Sequence, residues 1–186
     1  FLNGKLNRKK GNYTFAKECF HKVLEIDSVY ANALDELGIL ELISNQDINA
    51  CLVYLNKALL LKPNHPRILV NRGAAYFMDS QFDLAIKDYN TALKIDPEDH
   101  YCLYNLGLCY YELDKYQIAI DYFNKVLELQ KNDPKAYFDR GKAYYYSGKI
   151  AEAKADFKKA LKYRTTENRW ETIPKEDIED MLEYCK

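Results

Sequence analysis

The sequence predicts an all-α solenoid built from antiparallel helix pairs, and three observations carry that expectation. Gly4, Gly38, Gly73, Gly107 and Gly141 are spaced by 34, 35, 34 and 34 residues. Small residues keep the same beat at Ala16, Cys51, Ala85, Ala119 and Ala153, each followed four residues later by a bulky apolar one, at Phe20, Leu55, Tyr89, Phe123 and Phe157. The chain holds only 7 Gly and 5 Pro in 186 residues, too few turn formers for an all-β fold. A fixed period of this length is the mark of stacked supersecondary units.

The elements follow in order. Units are expected over about 1–30, 31–65, 66–99, 100–133 and 134–167. Within each helix the small and bulky residues recur at three, four and seven, on one stripe. Val23, Ala58, Ala92, Val126 and Ala160 add a third column at the same period. Gly11 and Gly148 share one repeat position, where the other units carry Asn45, Ser80 and Asp114. These residue types end helices and accept left-handed backbone, so each unit reads as helix, tight turn, helix. Pro63 and Pro97 close second helices. Pro66 and Pro134 open first helices, where the missing N–H costs little.

The columns resemble the tetratricopeptide repeat family, whose signature runs large residue, Leu-Gly and Tyr in the first helix, then Ala, Phe, Ala and Pro in the second. The third unit reads Leu69, Arg72-Gly73, Tyr76, Ala85, Tyr89, Ala92, Pro97. The fourth reads Leu103, Leu106-Gly107, Tyr110, Ala119, Phe123, Val126, and the fifth Tyr137, Arg140-Gly141, Tyr144, Ala153, Phe157, Ala160. The match covers about residues 1–167. It implies a right-handed superhelical solenoid whose first helices line a concave, peptide-binding groove. Two departures stand out. The second unit is one residue longer near Ile43 to Asp47 and has Glu41 at the Tyr position, so its turn is expected to be distorted. The first unit has Asn7 there and begins inside its first helix at Phe1, from which the chain is expected to continue upstream.

Beyond Leu161 the register fails, because a sixth unit would put Pro174 where a buried residue belongs. Thr172 or Ile173 before Pro174 reads as a helix start. Ile178, Met181, Leu182 and Cys185 then recur at helical spacing opposite Glu176, Glu179, Asp180 and Glu183. Residues 168–186 are expected to form a capping helix, since a solenoid's last unit exposes a face meant for a neighbour. The first part of a following domain, or a segment for a partner, is the rival reading.

Composition sets the function classes. Lys+Arg 27 against Asp+Glu 28 gives a net charge of -1 and no basic stripe, which excludes nucleic acid as the expected partner. No apolar run approaches the roughly 20 residues that span a bilayer. Five cysteines, an odd number without a signal segment, read as reduced thiols and lean towards the cytoplasm. Cys102 and Cys109, about 10 Å apart on one helix, are too distant for a disulfide and read as core residues.

No chemistry-bearing constellation emerges. His21, His65 and His100 are scattered, and Glu18 with His21 supplies one Glu-x-x-His where a helical di-metal site needs two. Every glycine is committed to the repeat, leaving none for a phosphate loop, and no nucleophile motif appears. No enzyme activity, metal or cofactor is expected.

The first helices offer a surface instead. Repeat positions 4, 7, 8 and 11 define the packed face, and positions 2, 5, 6, 9, 12 and 13 point roughly 150° away from it. That second face is rich in aromatic residues. The candidate site takes Asn71 and Phe77 from the third unit. The fourth supplies Tyr101, Tyr104, Asn105, Leu108 and Tyr111, and the fifth Phe138, Lys142 and Tyr145. Exposed aromatic runs mark binding surfaces, and Tyr offers contact area with a hydroxyl at low entropic cost. Asn71 and Asn105 share one position and resemble the asparagine ladder of some superhelical family members. Rings packed sideways on the next unit, and ordinary surface Asn, are the bland alternatives.

The family's clamp for C-terminal carboxylates is not expected. Asn105 and Lys135 fit it, but Val70, Ala74 and Asp139 do not, and in the other register Asp35 and Ile39 fail. The leading reading is a non-catalytic scaffold that holds a peptide or helix of a protein partner. A self-associating spacer, pairing through the groove or the C-terminal helix, and a regulatory arm of a larger protein stay open beside it.

Overall fold

A computed structural model describes residues 1–164 and 173–185. Among these residues the chain forms eleven α-helices and no strand: α1 (Leu2–Lys9), α2 (Tyr13–Ile26), α3 (Ala31–Asn45), α4 (Ile48–Leu61), α5 (Pro66–Met78), α6 (Phe82–Leu93), α7 (His100–Glu112), α8 (Tyr116–Leu129), α9 (Pro134–Tyr146), α10 (Ile150–Tyr163) and α11 (Lys175–Tyr184). They divide into two compact units, Phe1–Pro97 and Glu98–Lys186. In the first, α1 packs on α2, α3 on α4 and α5 on α6, with α2 against α3 and α4 against α5. In the second, α7 packs on α8, α8 on α9, α9 on α10 and α10 on α11. Thr172 and the 167/168 boundary lie outside the described residues.

The glycine column has a physical reason that the sequence states only in part. A Cβ at Gly4, Gly73, Gly107 or Gly141 would lie 2.6 to 2.8 Å from the ring of Phe20, Tyr89, Phe123 or Phe157 respectively. The glycine therefore makes room for an aromatic ring of its own partner helix. In the second repeat the smaller Leu55 sits 3.0 Å from the Cβ position at Gly38. The alanines at the small positions, Cys51, and all five bulky residues are buried, which makes this column the core of each pair.

Each turn is closed by one residue with positive φ: Gly11, Gln46, Ser80, Asp114 and Gly148. The following N–H returns to a first-helix carbonyl, as in Asn12 to Asn7 at 2.9 Å, Gln81 to Tyr76 at 2.8 Å, Lys115 to Tyr110 at 2.9 Å and Lys149 to Tyr144 at 2.8 Å. The second repeat departs from the expectation. Asn45 remains the last residue of α3, and Gln46 takes the left-handed conformation. The extra residue lengthens α3 to 15 residues, against 13 in α5, α7 and α9. Asp47 N–H still reaches the equivalent carbonyl, that of Glu41, at 3.2 Å, across one more residue. The insertion is absorbed before α4 begins.

Helix starts follow sequence chemistry. Asp47, Asp99 and Asp133 accept N–H groups of Ala50, Cys102 and Ala136, and Pro66 and Pro134 occupy the first turns of α5 and α9. At the other end, α11 lays Ile178, 0% exposed, and buried Cys185 inward and leaves its carboxylates outward.

Candidate functional site

In the first unit the face expected to bind is polar and largely engaged by the chain itself. Asp35 and Glu36, adjacent on α3, are both 0% exposed. Arg67 of α5 spans them, with Nη2 2.5 Å from Asp35 Oδ2 and Nη1 3.0 Å from Glu36 Oε1. Arg8 Nε and Lys5 Nζ of α1 approach Glu36 at 2.9 and 3.5 Å. Asn71 donates its amide N–H to Asp35 Oδ1 at 2.7 Å. Burial nevertheless outweighs the Asn71 hydrogen bond and the Arg67 charge, and pushes the Asp35 carboxyl above its ordinary range. Phe77 packs edge-on against Phe82, with ring centroids 5.5 Å apart.

The second unit brings together residues of α7 and α9. The Tyr104 hydroxyl donates to Asp139 Oδ2 at 2.5 Å, and its ring leans on Phe123 at 5.8 Å. Burial, then the neighbouring Asp139 charge, raises that phenol well above its usual range. Lys142 Nζ pairs with Asp139 Oδ1 at 2.7 Å and lies over the rings of Tyr111 and Phe138, 4.9 and 5.3 Å from their centroids. Phe138 tilts onto Phe157, and Tyr145 meets Tyr146 edge to face at 5.3 Å. Tyr104, Leu108 and Tyr111 pack beside a core of Ala119, Ile120, Phe123 and Ala143 while keeping part of their surface open. Tyr101 is the most open of the expected residues, at 53% exposure.

Two of the alternatives kept open by the sequence bear on these placements. Asn105 is only 9% exposed and donates to the carbonyl of Tyr101, one turn back on its own helix, at 2.7 Å. Like Asn71, it supports the fold from the position where a ladder rung was expected. Several rings also pack sideways on neighbouring helices, because a helical wheel gives a direction from the axis and no distance to the next helix.

A further set of residues carries a signal that the 34-residue columns conceal. Arg72 grips Asp88 through Nε at 2.7 Å and Nη2 at 2.8 Å while Nη1 donates to Asn56 at 2.8 Å. Arg140, Asp156 and Asn124 repeat the arrangement 68 residues later, at 2.6, 2.8 and 2.6 Å. The second and fourth repeats place Leu37 and Leu106 at the Arg position, and Tyr54 and Tyr122 at the Asp position. The recurrence between the third and fifth repeats was readable by comparing alternate units, although the first repeat carries Asn3 and Cys19 at these positions.

Among the described residues no group of three or more His, Cys, Asp and Glu could hold a metal ion, and no helix is long and apolar enough to cross a membrane.

Stacked helix pairs with a glycine facing a bulky apolar side chain in each are the architecture of a helical-repeat protein. The tetratricopeptide repeat model matches residues 64–132 and 102–166, together more than half of the chain, which therefore belongs to the tetratricopeptide repeat family. No curated protein matches the sequence. Among solved structures, a crystal structure of MamA is similar at 28% identity and a TM-score of 0.76, covering 86% of this chain and 87% of that one. MamA from Desulfovibrio magneticus RS-1 is similar at 21% identity and 0.79, covering 86% and 90%. Pseudomonas aeruginosa PilF is similar at 21% and 0.80, covering 99% and 86%. The last two likenesses concern the fold alone, an α-α solenoid of helix pairs. Membership of the family implies a scaffold for protein–protein interaction.

Proposed function

We propose that this chain is a non-catalytic scaffold that holds an extended or helical segment of a protein partner along the first helices, with α7 and α9 as its main contact surface. The observation that carries this reading is the row of part-exposed side chains there: Tyr101, Leu108 and Tyr111 on α7, and Phe138, Lys142 and Tyr145 on α9. The rings of Tyr111, Phe138 and Tyr145 are braced by neighbours, so little of their side-chain entropy is lost when a ligand covers them. Tyr104 and Asn105 serve in this reading as the support that holds the surface in shape, and Asn71 and Phe77 brace the first helices of their own unit. That α11 buries Ile178 within its own unit favours a free surface over one filled by the C-terminal helix.

The test is selection of binding segments from a displayed random-peptide library, followed by calorimetric titration. Replacing Tyr101→Ala and Tyr145→Ala together is expected to weaken a selected segment by about tenfold or more, as for interface anchors, with helical content unchanged. Unchanged affinity in that variant removes α7 and α9 from the binding surface. Particles that grow with concentration and lose that growth in the same variant would point to a second copy as the occupant.

A further inference from the structure

Three tyrosines from three helices meet in the second unit. Tyr111 near the end of α7, Tyr116 at the start of α8 and Tyr146 at the end of α9 each touch the other two. Their ring centroids are 5.7 Å apart for Tyr111 and Tyr116, 6.0 Å for Tyr111 and Tyr146, and 5.8 Å for Tyr116 and Tyr146. Tyr116 and Tyr146 stack at 23°, and Tyr146 is 55% exposed. The cluster is therefore a rigid aromatic platform with an open side.

Its rim is acidic. Glu112 follows Tyr111 in the chain, and Asp114 accepts the Tyr116 hydroxyl at 2.5 Å. Both carboxylates are exposed, and among the described residues neither takes part in an ion pair. The lysines on the adjoining turns are directed elsewhere: Lys115 lies over Tyr110, and Lys149 lies over Tyr144 and donates to Gln117. Among the described residues the cation that lies over a ring of the cluster is Lys142, on Tyr111, and Asp139 already neutralises it.

Ring faces carry the negative part of the aromatic quadrupole, so stacked tyrosines beside uncompensated carboxylates attract a cation twice over. An apolar side chain would desolvate Glu112 and Asp114 with nothing in return, and an acidic one would be repelled. We propose that this platform docks an arginine side chain of a partner protein. Its planar guanidinium can lie on Tyr146 while its N–H groups reach the two carboxylates. The inference rests on the scaffold reading above and adds the chemistry of one anchor.

The test uses the full chain and a probe small enough to need no other contact. Acetyl-arginine amide, acetyl-norleucine amide and acetyl-glutamate amide are titrated in turn while aromatic NMR signals are followed. The arginine derivative is expected to shift Tyr111, Tyr116 and Tyr146 saturably, with about tenfold weaker binding in Glu112→Gln/Asp114→Asn and stronger binding at low salt. Absence of saturable shifts at these rings, equal shifts with norleucine, or indifference to Glu112→Gln/Asp114→Asn would each overturn it. The scaffold reading fails separately, when selected segments ignore Tyr101→Ala/Tyr145→Ala.

Discussion

Arg140 and Asp156 join the two helices of the last pair by a forked contact, Nε to Oδ2 at 2.6 Å and Nη2 to Oδ1 at 2.8 Å. The guanidinium sits beside the rings of Tyr137 and Tyr144, 5.4 and 5.7 Å from their centroids, and the carboxylate is almost wholly buried. At the same two positions of the preceding pair, buried Leu106 replaces the arginine, and Tyr122 stacks on Tyr110 at 5.5 Å and 9°. One junction is thus solved in two ways, by charge and by rings.

The alternation predicts an exchange experiment. Arg140→Leu alone leaves Asp156 buried without its cation and should cost about 3 kcal/mol or more in urea unfolding. Adding Asp156→Tyr supplies the alternative solution, with Tyr144 placed as Tyr110 is, and should recover most of the loss. A double variant no more stable than Arg140→Leu would mean that the two junctions are not interchangeable.

The glycine column predicts a second coupling. In Gly107→Ala the new methyl would lie 2.6 Å from Phe123 Cε1, against a ring that is fully buried. Overpacking of this kind costs about 1 to 3 kcal/mol. Phe123→Leu creates the pairing that Gly38 and Leu55 already use, at 3.0 Å. The combined variant should therefore lose less than the sum of the two single losses, measured by a double-mutant cycle in denaturant.

These two cases show why some of this molecule was legible in sequence. Glycine and ring recur at a fixed offset, so period alone set out both columns, Gly73 with Tyr89 and Gly141 with Phe157 among them, and the structure adds the contact between them. The turn of the second repeat was misplaced by one residue, from Asn45 to Gln46, because an inserted residue can extend a helix or lengthen a loop, and composition does not choose. The surface was harder still. Asn71 and Asn105 lie on the expected face, yet their neighbours are a carboxylate 36 residues away and a carbonyl four residues back. Which partner wins depends on distances between helices, and no helical wheel contains them.

Thiol reactivity follows from burial. Cys51 and Cys109 are both pushed up to about 12 by desolvation, and Cys102 is buried as well, whereas Cys19 is part exposed. Ellman's reagent at pH 8 should label Cys19 quickly and reach Cys51, Cys102 and Cys109 only as fast as the chain opens. Rapid labelling of all of them in the native protein would contradict the packing of α4 and α7.

The buried acid pair of α3 predicts a pH signature of defined sign. The Asp35 carboxyl is raised above 3.8 chiefly by burial, with the Asn71 hydrogen bond and Arg67 opposing and Glu36 adding to the rise. The folded chain thus holds the Asp35 proton more tightly than the unfolded chain does. This group's contribution is most favourable below 3.8, where both states are protonated, and falls as pH rises to the raised folded value. Above that value the full desolvation penalty is present. Asp35→Asn is neutral at every pH and keeps an oxygen to accept from Asn71. The variant should be more stable than the native chain at pH 7, with the difference shrinking as pH is lowered towards 4. Groups that do not interact with Asp35 cancel in that difference, so unfolding free energies at the two pH values report on Asp35 and on Glu36 and His65 coupled to it. A variant that is less stable at pH 7, with a gap that narrows on acidification, would show that Arg67 and Asn71 more than offset the burial of the charge.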